Sequence, residues 1–306
     1  MSRMFDILNK ELKQRISKTQ QESVETIVDG AASNVRPYDE KAPPPPSELQ
    51  KVSKEEGWVS PSYTQSRHVA LDPRKLRANR CVCHQCGSYE SEFYKILRTH
   101  ILLKTGNKGG MTVMITSALP GEGKTLTSIN LALTFAKQYN QTVMLVDSDL
   151  RQQKIHEYLG YESSKGLTDY LQSGTPLKDL IVWTGIEKMT VISGGNTVTA
   201  SSELLSSPRM KDLVKELKSR YPDRYVLFDV APVLVVADAM AFAPLVDCIV
   251  LVVRAGSTSI ADVKQTLALL PPEKVLGFVL NRVEEPSKEI KGYYMPKKKE
   301  KTKSRM

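Results

Sequence analysis

One eight-residue run fixes most of what this 306-residue chain can become. Ala118-Leu119-Pro120-Gly121-Glu122-Gly123-Lys124-Thr125 follows an apolar, β-branched stretch at 111–116 and precedes a helically patterned stretch at 126–139. Strand, glycine loop, helix is the context in which a GKT sequence cradles phosphate. Glycines let successive backbone N–H groups curl around an anion, and the helix that follows aims its positive end at the same oxygens. Lys124 then reaches the outer phosphates of a triphosphate, and the Thr125 hydroxyl is placed for Mg2+.

The rest of the pattern agrees with a fold built around such a loop. Short apolar runs at 142–146, 225–228, 248–253 and 275–280 read as further strands, and 204–221 (with Ser202 as cap) and 260–270 read as helices. A helix with Phe93, Ile96, Leu97 and Ile101 at helical spacing precedes the first strand and ends near Lys104. Apolar strands alternating with helices predict an α/β fold, a P-loop NTPase-like parallel sheet with helices on both faces. Asp147 and Asp149 stand at the carboxyl end of one expected strand and Asp229 at that of another, where open α/β sheets bind ligands. If the chain stays extended, Asp147 and Asp149 point the same way. Carboxylates beside a triphosphate repel it unless a cation lies between, and Mg2+ suits that place.

Charge separates the core from the ends. The net charge is +9, but eight Lys/Arg against two Glu fall within 287–306. A nucleic-acid binder would carry its charge on the folded face, so no nucleic-acid partner is expected. The basic tail leaves contact with an anionic membrane surface open. Residues 1–87 are read as an amphipathic N-terminal helix and a disordered, Pro-rich linker, 88–286 as the folded domain and 287–306 as a flexible tail. No run is long and apolar enough for a membrane span, and four cysteines are too few for a disulfide scaffold, so a cytoplasmic setting is expected. Cys81, Cys83, His84 and Cys86 crowd into six residues, too close for the usual two-pair zinc arrangement; a metal- or redox-responsive cluster is the weaker alternative.

The chain resembles the bacterial tyrosine kinases (BY-kinases) that accompany exopolysaccharide synthesis and export. The resemblance covers roughly 88–283. It rests on PGEGKT at 120–125, LVDSDLR at 145–151, SELLSSPRM at 202–210, LFDVAP at 227–232, VVRAGST at 252–258 and GFVLNRV at 277–283. It implies a cytoplasmic autokinase that uses ATP and Mg2+. Pro120, Gly121, Glu122, Gly123, Lys124, Thr125, Leu126, Arg254 and Asn281 would then contact the nucleotide. Thr125, Asp149 and Asp229 would hold the metal, and Asp147 would take the tyrosine proton. Glu92, Lys95 and Arg98 match a three-residue-spaced Glu, Arg, Arg helix by which family members dock into a homo-oligomeric ring, here with Lys for the first Arg. Tyr293 and Tyr294 stand where the family keeps a longer cluster of acceptor tyrosines. A separate membrane-spanning polysaccharide co-polymerase or adaptor is the implied partner, holding the kinase peripherally at the inner membrane. MinD-type and partitioning ATPases carry an extra lysine early in the loop, where this chain has Leu119 and Pro120. A nucleotide-gated interaction protein of that kind stays as the alternative.

Overall fold

The computed structural model describes residues 66–85, 88–106, 111–220 and 223–283. The expected helix over 1–20, the proline run, Cys86, Tyr293, Tyr294 and the lysine-rich end lie outside the described residues.

Eight strands form one sheet among the described residues: β1 (Arg67–His68), β2 (Met111–Ser117), β3 (Thr142–Asp147), β4 (Ile181–Trp183), β5 (Met189–Ile192), β6 (Arg224–Asp229), β7 (Cys248–Arg254) and β8 (Val275–Asn281), in the order β1-β4-β5-β3-β6-β2-β7-β8. The five strands expected from apolar runs are β2, β3, β6, β7 and β8. Each continues one residue past its apolar run, ending on Ser117, Asp147, Asp229, Arg254 and Asn281 respectively. The hydrogen-bond ladder thus carries polar side chains to one rim of the sheet. Every residue of β3 and β6 is buried, so side chains on both sheet faces are covered, as a parallel sheet between helical layers requires. The expected parallel pairing holds at every ladder but one: β4 and β5 are antiparallel, joined by the short connection 184–188. Three- and four-residue strands can be linked so directly only by reversing direction.

The helices are α1 (Pro73–Ala78), α2 (Tyr89–Lys104), α3 (Lys124–Phe135), α4 (Ile155–Leu159), α5 (Leu167–Ser173), α6 (Ser201–Leu205), α7 (Pro208–Ser219), α8 (Asp238–Phe242) and α9 (Ile260–Leu269). The single helix expected over 204–221 is two. Ser207 accepts from the Met210 N–H as an N-cap, and Pro208 opens α7. Proline has no N–H to give to the preceding turn and suits a first helical position. Ser202 lies inside α6 instead of capping it.

The linker expected through residue 87 ends much sooner. Residues 66–85 hold β1, α1 and a short 3-10 turn, and Leu76, Cys81 and Cys83 are almost fully buried in the main core with Ile101, Leu131, Phe135, Ile155 and Tyr225. Asp72 caps α1 by accepting from the Arg74 N–H, and Pro73 starts the helix. Burying Leu76 alone is worth about 1.5–3 kcal/mol, which offsets the ordering of a charged, short helix. The cysteine cluster is divided accordingly. Burial pushes the Cys81 thiol up to about 12 and Cys83 to about 11, which makes them inert, core-filling thiols.

Candidate active site

The loop after β2 is shaped by its glycines and held by residues far along the chain. Gly121 (φ 76°) and Gly123 (φ 95°) lie in the left-handed region, where a side chain costs energy. The Glu122 side chain, 2% exposed, folds beneath the loop; it accepts from the Leu119 N–H at 2.9 Å and from the Thr258 hydroxyl. Asn281, the last residue of β8, donates its amide to the Glu122 carbonyl at 2.8 Å. A Cβ on Gly123 would overlap that Asn281 amide. Gly123→Ala is therefore expected to combine about 1–3 kcal/mol of backbone strain with displacement of Asn281. Affinity for ATP, measured by calorimetry, should fall at least about tenfold, since each 1.4 kcal/mol is a factor of ten; unchanged affinity would exclude the overlap.

From this loop α3 leads Lys124 and Thr125 into a group of acids. Lys124 Nζ lies 2.8 Å from Asp149 Oδ2 and 3.5 Å from Asp229 Oδ2. Thr125 donates its hydroxyl to Asp229 Oδ2 at 2.6 Å, and Ser128, one turn on, donates to Asp229 Oδ1 at 3.2 Å. The register explains the meeting: Asp147 of β3 pairs directly with Asp229 of β6, and β6 lies beside β2. Asp149 sits past the strand end, turned by the Gln152 N–H, which donates to its Oδ1 at 3.0 Å. Asp147 is fully buried. Its Oδ2 accepts from the Lys154 and Ile155 N–H groups at 3.1 and 3.0 Å, at the start of α4, and its Oδ1 has no partner.

The charges are unbalanced. Burial works against the Lys124 ammonium, but Asp229 and Asp149 hold its pKa above the usual lysine value. Burial, then the neighbouring Asp229, pushes Asp147 up to about 8, against the pull of the Ile155 N–H and Lys124. Burial also raises Asp229, although Lys124 and Thr125 pull it down. One ammonium facing three carboxyl groups leaves negative charge that a proton or a cation takes up. Among the described residues no three His, Cys, Asp or Glu side chains form a metal-binding group by themselves. A divalent ion here would be held by the Thr125 hydroxyl, one or two carboxylates, phosphate oxygens and water, which is the donor set that suits Mg2+.

A cavity opens over this cluster, lined among others by Gly123, Lys124, Asp149, Arg151, Tyr158 and Arg282. Of the residues expected to contact nucleotide, Pro120, Gly121, Gly123, Lys124, Thr125 and Leu126 line it; Glu122 and Asn281 brace the loop from behind. Arg254 is not among the lining residues. It ends β7, and its N–H donates to the Thr258 hydroxyl. Arg151, Tyr158 and Arg282 were not singled out by sequence reasoning. Arg151 lies in the same LVDSDLR run as the two acids and Arg282 in the GFVLNRV run, so both carried a signal that Tyr158 did not. Its guanidinium donates to Ser201 Oγ at 2.8 Å and to the Thr199 carbonyl at 2.7 Å.

The three positions expected to dock a second copy do not stay together on one open face. Lys95 pairs with Glu92 within α2 at 2.5 Å. Arg98 turns inward and donates to the Thr134 carbonyl at 2.8 Å. The carbonyl end of α3 carries partial negative charge, and a guanidinium is drawn to it. What α2 exposes instead is Phe93, Ile96 and Leu103.

Comparison with known proteins follows the same outline. The family model for the CobQ/CobB/MinD/ParA nucleotide binding domain matches residues 113–301, from β2 onward and including all three acids. Tyrosine-protein kinase YwqD of Bacillus subtilis (strain 168) is 36% identical over 223 residues, which cover 72% of this chain and 92% of that protein. Tyrosine-protein kinase CpsD of Streptococcus pneumoniae is 32% identical over 196 residues, 63% of this chain and 84% of CpsD. Among solved structures, the chimerical protein CapA2B2 superposes with a TM-score of 0.62 at 28% identity, covering 71% of this chain and 93% of that one. The kinase domain of Escherichia coli tyrosine kinase ETK gives 0.58 at 29%, covering 64% and 77%. By these similarities in sequence and fold, the chain belongs to the bacterial tyrosine kinases, built on a P-loop nucleotide-binding domain.

Proposed function

We propose that this chain transfers the γ-phosphate of Mg-ATP to tyrosine, with Tyr293 and Tyr294 of another copy as acceptors. One observation carries the reading. A buried carboxyl with one unpaired oxygen, Asp147 Oδ1, belongs to the residue paired across the sheet with Asp229, which meets both the lysine and the threonine of a phosphate loop. The loop N–H groups and Lys124 grip the outer phosphates, so transfer becomes a matter of positioning and charge neutralisation. Mg2+, when bound, would supply positive charge that offsets the negative charge of the phosphates during transfer. Thr125, Asp149 and Asp229 are its holders in this reading. Asp147 accepts the phenolic proton through Oδ1, since Oδ2 is occupied by two N–H donors. Arg151 and Arg282 at the cavity wall supply positive charge toward the incoming side chain or nucleotide.

Self-association through α2 is part of the same proposal, because a tail must reach a neighbour's cavity; Glu92, Lys95 and the exposed Phe93 and Ile96 would lie at that surface, with Arg98 stiffening the helix from within. A membrane-spanning adaptor of exopolysaccharide synthesis is the proposed partner. No helix among the described residues is long and apolar enough to cross a membrane. The test is mass spectrometry after incubation with ATP and Mg2+. Phosphate is expected on Tyr293 and Tyr294, and replacing both with Phe should remove most phosphotyrosine. Full labelling of that double variant would place the acceptors elsewhere, and no label on the wild type would defeat the kinase reading for this chain.

A further inference from the structure

The segment before the expected domain boundary does more than fill the core. α4 is only five residues long, far below the roughly 12–15 residues at which an isolated helix becomes even marginal. Its N-cap, Lys154, makes no side-chain cap bond. Something outside the helix must therefore hold each end. At the N-terminal end the holder is Asp147. At the other end the left-handed Gly160 closes the helix with its backbone N–H, and Asn79 adds a side-chain cap from a different part of the fold. The Asn79 amide donates to the Tyr158 carbonyl at 2.9 Å, one of the groups that lack a partner within the helix at its C-terminus, and reaches the Glu157 carbonyl, which also accepts from the Gly160 N–H, at 3.4 Å.

Asn79 is itself fixed. Its backbone N–H donates to the Lys75 carbonyl at 2.9 Å and closes α1. Leu76 of α1 and Ile155 and Leu159 of α4 are all fully buried in one cluster. Downstream, the chain is tied to α3: Cys83 N–H donates to Asn130 Oδ1 at 3.0 Å, and Asn130 Nδ2 donates to the Arg80 carbonyl at 3.1 Å. Residues 79–83 thus bridge the helix that begins at Lys124 and the helix whose first N–H groups hold Asp147. A five-residue helix spans only about 7.5 Å at 1.5 Å per residue, so a tilt at its C-terminal end moves its N-terminal end as well.

We propose that Asn79 is a positioning residue for phosphoryl transfer: by capping α4 it aims the unpaired Asp147 oxygen. This rests on Asp147 acting as the proton acceptor. The experiment compares steady-state tyrosine phosphorylation by Asn79→Ala, Asn79→Asp and Asn79→Gln, each alone and with Asp147→Asn, in the full chain. Asn79→Ala is expected to lower kcat roughly 10–100-fold, the scale of about 1 Å of misplacement, with KM for ATP changed less than about twofold because the phosphate grip lies on α3. Asn79→Asp keeps the volume but removes the donor, and should do the same. Asn79→Gln keeps the amide and should restore most of kcat. In the Asp147→Asn background the Ala substitution should have no further effect on the residual rate, since groups acting through one another are not additive. Equal losses in both backgrounds would make Asn79 a general stability residue, and wild-type kcat in Asn79→Ala would end the proposal. If Asn79→Ala and Asn79→Asp both failed to fold, Asn79 would be assigned to folding and the positioning role withdrawn. Full activity of Asp147→Asn by itself would strike the proton-acceptor reading, a different result from any of these.

Discussion

Lys124→Ala is expected to leave no detectable phosphotyrosine and to unfold at a markedly lower temperature even without nucleotide. The second effect is the more informative. Lys124 is the one ammonium seen to pair with Asp149 and Asp229, at 2.8 and 3.5 Å. Removing one partner of a buried ion pair costs about 3–5 kcal/mol, because the charge left behind has lost its compensation. A domain of this size shifts its Tm by about 2–4 °C per kcal/mol, so a drop on the order of 10 °C follows. The stranded acids relieve themselves by binding protons. The loss should therefore be largest at alkaline pH and should shrink as the buffer is acidified. Differential scanning calorimetry of the nucleotide-free variant at several pH values checks this, and a melting temperature equal to wild type would mean that the acids are better solvated than their burial suggests.

Asp147→Asn is expected to do the opposite to stability while also stopping transfer. Asparagine keeps an oxygen to accept from the Lys154 and Ile155 N–H groups but cannot accept a proton from tyrosine. General-base catalysis is worth about 10²–10⁴-fold, and the rate should fall by that much while ATP binding remains. The acid is raised from 3.8 to about 8 in the folded protein. A raised carboxyl favours the fold most below its unfolded pKa, and that advantage is lost as pH rises through the folded value. The neutral variant escapes this loss. It should match wild type near pH 4, become progressively more stable than wild type up to pH 8, and hold a constant margin above that. A variant that was less stable than wild type at pH 9 would show that Asp147 is ionised and well satisfied in the native protein. Stability given up at a working site is a common exchange in enzymes.

What could be read in advance follows from how local each signal is. The loop and its strand and helix are contiguous, so Pro120 to Leu126 carry their own context. Asp147 and Asp229 were legible because each stands next to a long apolar run that must be a buried strand. β4 and β5 were missed because three and four residues give no periodicity to count, and β1 exists only by pairing with β4. α1 reads as a charged linker fragment; the burial of Leu76, Cys81 and Cys83 that orders it depends on partners far along the chain, such as Asn130, 47 positions from Cys83, and Tyr158, 77 positions from Cys81. Arg98 carried the right spacing for an outward face, but a neighbouring helix end drew its guanidinium inward. The brace under the loop was equally invisible, since Glu122 meets Thr258 and Asn281 only after the sheet has closed.

That last contact ties the beginning of the catalytic apparatus to β8, the last strand in sequence among the described residues. The Glu122 carbonyl waits for an amide 159 residues downstream. During synthesis, the glycine turn emerges well before β8, yet it lacks its final support until that strand has been made and laid in place. Competence to grip a nucleotide is thereby reserved for molecules in which β8 has already paired with β7.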